Sequence, residues 1–118
     1  MAARAIQRGV RQSARKMRLV MDQIRGHDVN EAYAMLKFSK KRAAKQIEKV
    51  LRSAVANAQQ DAERDNQAFD VDRLVVRYAI VNEGQTLKRF TSAAMGRATP
   101  WHKRTSIVEI RVAMKEGK

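Results

Sequence analysis

Five cations, Lys88, Arg89, Arg97, Lys103 and Arg104, fall within residues 84–104 (GQTLKRFTSAAMGRATPWHKR), a stretch with no carboxylate. Cations without internal counter-charge suit the binding of a polyanion. Phe90 and Trp101 lie within this stretch, and Trp101 sits in PWHKR beside His102. Trp101 reads either as a packing residue at the base of the segment or as a platform for an unpaired base, a contact worth about 1–3 kcal/mol. A second cluster, Arg11, Arg15, Lys16 and Arg18, stands where a first helix begins. Cations oppose the helix dipole there, and a local rule broken in this way tends to mark function. A third set, Lys41, Lys45 and Lys49 at i, i+4 and i+8, stacks on one helix side with Arg52 nearby. Like charges four residues apart repel by a few tenths of a kcal/mol. Glu48 can offset Arg52 but leaves most of the stripe uncompensated, so the stripe is either a solvated face or a phosphate-facing one. Arg4 and Arg8 flank Ile6 on a candidate first strand and complete the basic set.

Catalytic and metal chemistry find little support. The two histidines, His27 and His102, fit no HxxxH or HExxH pattern, and there is no cysteine, so no zinc site is expected. His27 reads as a solvent-facing residue just past a helix end. There is no Walker A or GxGxxG motif, and no serine has an acid–base partner close in sequence. No catalytic residue and no cofactor is expected.

The bulk numbers agree with phosphate binding. The chain has 118 residues, 25 Lys+Arg against 12 Asp+Glu, and a formal charge of +13. Such a charge repels itself in the compact state, and phosphate is the plainest way to neutralise it, with an anionic membrane as the weaker reading. The charge is uneven: residues 1–60 hold 14 basic and 4 acidic side chains, whereas residues 61–83 hold 3 and 6. The region of Asp61, Glu63, Asp65, Asp70 and Asp72 should therefore face away from a polyanion. No apolar run is long enough to span a membrane, and the start lacks the apolar core of a secretory signal. The absence of cysteine suits a reducing compartment.

The elements that must position these cations read as follows. Residues 2–10 form a weak strand with Gly9 at a bulge or close approach. Ser13 caps a helix over about 14–25 that Gly26 ends, with Met17, Val20, Met21 and Ile24 inward. Asn30 caps a short helix, EAYAMLKF, with Ala32, Met35 and Leu36 inward. Ser39 caps a long helix over about 41–64, whose apolar set is Ala43, Ala44, Ile47, Val50, Leu51, Ala54, Val55 and Ala58. Leu74, Val76, Tyr78 and Ile80 share one face of a strand, and Val108, Ile110 and Val112 one face of another. The length suits a single domain, residues 1–118, and the order of elements an α+β fold with an antiparallel sheet. The stretch from 84 to 104 reads as a long loop, without a core of its own, that a partner would order. Gly84 and Gly96 read as turn residues of positive φ.

RQSARKMRLVMDQIRG (11–26), KKRAAKQIEKVLRSAVANAQ (40–59), VNEGQTLKRF, MGRA and KRTS together resemble the large-subunit ribosomal protein family numbered twenty-two in the bacterial series. The resemblance runs in order over nearly the whole chain. It implies three helices packed on a three-stranded antiparallel sheet with a long protruding β-hairpin at about 84–104. It further implies a non-enzymatic constituent of the large ribosomal subunit, in the cytoplasm rather than an organelle, one copy per ribosome. The partners implied are 23S-type ribosomal RNA, neighbouring large-subunit proteins and the nascent polypeptide, with no membrane. The hairpin would line the exit tunnel through Leu87, Lys88, Arg89, Ser92, Ala93, Ala94, Met95, Gly96, Arg97 and Ala98. Residues 87–89 match the position linked in the family to macrolide resistance. The family commonly carries a PRAKGRA-like tip, and here Ala93 and Met95 stand where that pattern has cations. A DNA-binding regulator that uses the first two helices as a helix-turn-helix and a small RNA-processing enzyme are the competing readings.

Overall fold

In order along the chain come strand β1 (Ala2–Val10), helices α1 (Ala14–Ile24), α2 (Val29–Phe38) and α3 (Ala43–Arg64), a 3-10 turn (Val71–Arg73), and strands β2 (Leu74–Ser92) and β3 (Ala98–Met114). The structure, a computed structural model, describes residues 2–92, 96 and 98–114, and for residues 2, 89–92 and 98–102 it describes the backbone. The three strands form an antiparallel sheet in the order β1-β3-β2. Its inward face, with Ala3, Ala5, Leu74, Val76, Val108, Ile110 and Val112, packs into one core with Met17, Met21, Ile24, Ile47 and Leu51 of the helices. This is the expected α+β arrangement.

The local signals explain most helix ends. The Ser13 hydroxyl accepts the Lys16 N–H at 3.4 Å, and Gly26 takes φ +84 just past α1. The Gly26 N–H then donates to the Val76 carbonyl and the Val76 N–H to the His27 carbonyl, both at 2.9 Å. These bonds tie the α1–α2 turn to the sheet. They also bring Asp28 opposite Val75 in an isolated bridge, so α2 starts at Val29 with Asp28, not Asn30, at the cap position. The Asn30 side chain instead donates to Asp72 at 2.7 Å. The buried stripe of α2 is Val29, Ala32 and Leu36, which leaves Met35 37% exposed rather than inward. Ser39 closes α2, and its hydroxyl accepts the Lys41 N–H at 3.3 Å, so α3 begins only at Ala43. The apolar set expected of α3 is buried, apart from Val55, which is half-buried.

β2 departs from the expected alternation, whereas the segment after it forms the hairpin that the family resemblance implies rather than the loop that its residues alone suggest. The stretch read as a loop is two paired strands, in register from Thr86↔Arg104 to Ser92↔Ala98. The ladder itself supplies the order, because strand pairing satisfies the backbone without a private core. Two irregularities shift the β2 register, between Val76 and Tyr78 and between Glu83 and Thr86. Each adds a residue to β2 and reverses which face the following residues occupy. Past Arg77 the buried positions become Ala79 and Val81, while Tyr78 is 36% exposed under the Arg111 guanidinium, 4.5 Å from the ring centre. The expected face of Leu74, Val76, Tyr78 and Ile80 is thus broken after Val76.

Gly84 lies in the second irregularity, and its φ is not among the positive ones, which are those of Gly9, Gly26 and Gly96 among the described glycines. Its role is close approach. A Cβ there would stand 2.8 Å from Thr105 Oγ1 and 3.3 Å from the Thr105 carbonyl oxygen. The Thr105 hydroxyl donates to the Gln85 carbonyl and cannot turn away without losing that bond. Gly84→Ala should therefore lower stability by about 1–3 kcal/mol, measured by denaturant unfolding. A loss near zero would mean that the irregularity accommodates a methyl group.

Beyond Thr86 the arm advances about 20 Å at about 3.3 Å per residue. The radius of gyration is 17.8 Å and the extents are 68 × 28 × 17 Å. A compact chain of this length would have a radius near 13–14 Å. The hairpin therefore projects well beyond the helices.

Candidate nucleic-acid interface

Cations far apart in sequence meet where the hairpin leaves the sheet. Arg11 follows β1, Arg42 immediately precedes α3, and Lys103 and Arg104 lie on β3; together with Leu87 and Thr105 they line one groove. Beside it, Arg8, Gly9 and Arg11 line a second with Gly84, Gln85, Leu87, Thr105 and Ile107. The described lining of neither groove includes a carboxylate. Around the neck, Arg15 from the first turn of α1 faces Arg104 and Thr86 in a third hollow, and Lys88 joins Arg104 in a fourth. Glu83 lines both of these, so the acid-free part of the neck is the side of Arg8, Arg11 and Arg42.

Local structure explains the convergence. Gly9, at φ +70, marks the register shift at the end of β1, between Gln7 and Val10. Past it, Ser106 is buried and its hydroxyl donates to the Gln12 carbonyl, which holds the β1–α1 connection against β3. That contact brings Arg11 to the neck. The first turn of α1 carries no acidic residue, so its N-terminal N–H groups and the Arg15 charge point the same positive sign at the groove. Arg42 was not among the residues singled out from sequence. The signal was present in KKRAAK, but its place beside β3 depends on the α2–α3 turn.

Other expected contacts are placed differently. Among the described residues, Arg8, Arg11, Arg15, Lys16, Lys41, Lys45, Lys49 and Arg104 are exposed and take part in none of the ion pairs. Arg18 instead donates from Nε to the Val81 carbonyl at 3.0 Å, which pins α1 to β2. Arg25 does the same at Ala79, also at 3.0 Å, with Asp22 at 2.8 Å. Arg4 pairs with Glu109 at 3.6 Å on the open face of the sheet, and Arg52 pairs with Glu48 at 2.8 Å. His27 pairs with Glu31 at 3.1 Å. Ala93, Ala94, Met95 and Arg97 lie outside the described residues. The side-chain roles expected of Arg89, Ser92, Ala98, Trp101 and His102 lie outside the description as well, and only their positions on the hairpin strands are defined.

The acidic segment begins at the far end of α3. That helix has 22 residues, so its two ends stand about 33 Å apart at 1.5 Å per residue. Arg64 there pairs with Asp61 and Asp65 at 3.2 and 3.7 Å. The molecule is polarised, with the basic neck at one end of α3 and the carboxylates at the other. Between α2 and α3, Tyr33, Ala34, Lys37, Phe38, Glu48 and Arg52 line a further groove. Burial raises the Tyr33 hydroxyl above its ordinary value; Arg52 opposes this and Glu48 adds to it. The hydroxyl therefore stays protonated at neutral pH. Among the described residues, no group of His, Asp or Glu side chains is placed to hold a metal ion, and no helix is long and apolar enough to cross a membrane.

An α+β body with a basic neck and a projecting hairpin fits the class of polyanion-binding proteins, and comparison with known proteins narrows the class. Residues 5–113 match the family model described as ribosomal protein L22p/L17e. The chain is 48% identical over 118 residues to the large ribosomal subunit protein uL22 of Macrococcus caseolyticus, covering 100% of this chain and 91% of the relative. It is 49% identical over 117 residues to uL22 of Pediococcus pentosaceus, covering 98% and 93%. The chain belongs to the L22p/L17e family of ribosomal proteins. Membership makes it a structural, non-enzymatic constituent of the large ribosomal subunit that binds ribosomal RNA in cytoplasmic translation. The helix-turn-helix reading falls with that result. Its would-be recognition helix, α2, holds Lys37 as its one cation and Glu31 in its first turn.

Proposed function

We propose that this protein grips folded 23S-type ribosomal RNA at the hairpin neck and sends the hairpin inward to line the nascent-peptide tunnel. The observation that carries this reading is the neck itself, where Arg11, Arg42, Lys103 and Arg104 converge from separate segments on a groove whose described lining is free of carboxylates. Exposed cations there neutralise phosphates and release counterions, which gives affinity with little sequence readout. Arg8, Arg15, Lys16 and Lys88 extend the surface around the neck; Lys41, in the α2–α3 turn rather than on the helix, leads to Lys45 and Lys49 on α3. Arg18, Arg4 and Arg52 spend at least part of their hydrogen-bonding capacity inside the protein, so their share of RNA contact is smaller. Beyond the neck, Leu87, Lys88 and Arg89 lead towards the tip, where Ser92, Gly96, Arg97 and Ala98 approach the tunnel wall, with Trp101 and His102 on the returning strand. Ala93 and Met95 make that wall less cationic than the common family pattern. The body sits at the subunit surface near the tunnel exit, one copy per ribosome, and acts as a single folding unit that contacts neighbouring subunit proteins.

The test is the salt dependence of binding to large-subunit ribosomal RNA. Log K should fall with log salt at a slope equivalent to six or more phosphates, on the order of −5. A slope below about two phosphates' worth would sink the electrostatic account.

A further inference from the structure

Phe38 is 80% exposed, the most exposed large apolar side chain among the described residues. It closes α2 and lines the groove between α2 and α3 with Tyr33, Ala34, Lys37, Glu48 and Arg52. Glu48 is already engaged by Arg52 at 2.8 Å, so the groove's charge is carried by Lys37 on one wall. Lys45, one turn before Glu48, places a second cation on the same side of α3. The groove is therefore an aromatic face with a positive rim.

An apolar protein segment would have to bury Lys37, Glu48 and Arg52, which line the groove. A nucleobase would not, because its flat π-face stacks on an aromatic ring while its phosphates require cations. Continuity favours the same occupant. Phe38 stands in the run Lys37, Phe38, Ser39, Lys40, Lys41, Arg42, which leads directly to the neck groove, and Lys45 and Lys49 continue the positive surface along α3. The Tyr33 hydroxyl, protonated at neutral pH, adds a donor inside the groove.

We propose that the groove between α2 and α3 is a stacking site for one unpaired base of ribosomal RNA, with Phe38 as the platform and Lys37 and Lys41 against the flanking phosphates. This inference rests on the reading that the chain grips ribosomal RNA at its neck, and it adds a base-stacking contact separate from the neck and the hairpin.

The experiment measures binding of the full chain and its variants to a large-subunit ribosomal RNA transcript at several salt concentrations. Phe38→Ala should weaken binding about 10-fold and leave the salt slope unchanged, because stacking releases no counterions. Phe38→Trp should retain affinity, and Phe38→Leu should fall with Phe38→Ala. Because Phe38 is exposed, all three should melt like the parent. An unchanged affinity for Phe38→Ala overturns the stacking site while the neck reading stands. Full affinity for Phe38→Leu also overturns it, since that would make the contact merely apolar. Failure of the unmodified chain to bind RNA in a salt-dependent way removes the neck reading and this inference together.

Discussion

Replacing Arg11 and Arg42 with glutamate should lower affinity for large-subunit ribosomal RNA by about 100-fold at 0.15 M salt, with the fold intact. The two side chains line the neck groove from different connections. Each phosphate contact contributes roughly 0.7 log units at that salt through counterion release, so losing two accounts for about 30-fold. Repulsion from two new carboxylates supplies the remainder. The salt slope should shrink by about 2, one unit for each lost contact. Both residues are exposed and neither takes part in the described ion pairs, so thermal unfolding should match the parent. A double variant that binds as tightly as the parent would move the RNA grip away from the neck. One that melts early would give these arginines a structural role.

Leu51→Ala should cost about 3 kcal/mol of stability, within the roughly 2–5 kcal/mol range of buried leucine truncations. Leu51 is fully buried at 0% exposure, in the middle of α3 and inside the core shared with the sheet. Alanine is the better helix former, so the whole loss arises from packing and the cavity left behind. The midpoint of thermal unfolding should fall by roughly 10–20 °C, read by circular dichroism. A drop of only a degree or two would mean that α3 does not pack on the sheet as described. The contrast with the neck variant matters, since one substitution should cut stability and the other RNA affinity.

The two surfaces differ in how far they could be read from the chain. The stripe of α3 announces itself because apolar residues at 3.6-residue spacing have one way to be buried. Ser13 and Gly26 mark the ends of α1 for equally local reasons. The cap of α2 moved from Asn30 to Asp28 because a tertiary bridge to Val75 sets the start of that helix. The faces of β2 were misread after Val76 because an extra residue reverses the alternation. Nothing in RLVVRYAIV distinguishes a register shift at Arg77 from regular pairing. Gly84 likewise suggested a turn, whereas the contact that requires glycine comes from Thr105, twenty-one positions along the chain.

By itself the sequence determined the charge, the helical stripes, the basic character of the 84–104 segment and the family, since each depends on residue type and short-range order. Tertiary structure alone decided that Arg11, Arg42, Lys103 and Arg104 share one groove, that Arg18 faces a carbonyl of β2, and where the register of β2 shifts. The physical reason is the range of the forces involved. Helix periodicity and capping act over a few residues, whereas strand register, bulges and the meeting of distant cations depend on contacts that exist only once the sheet has closed around β3.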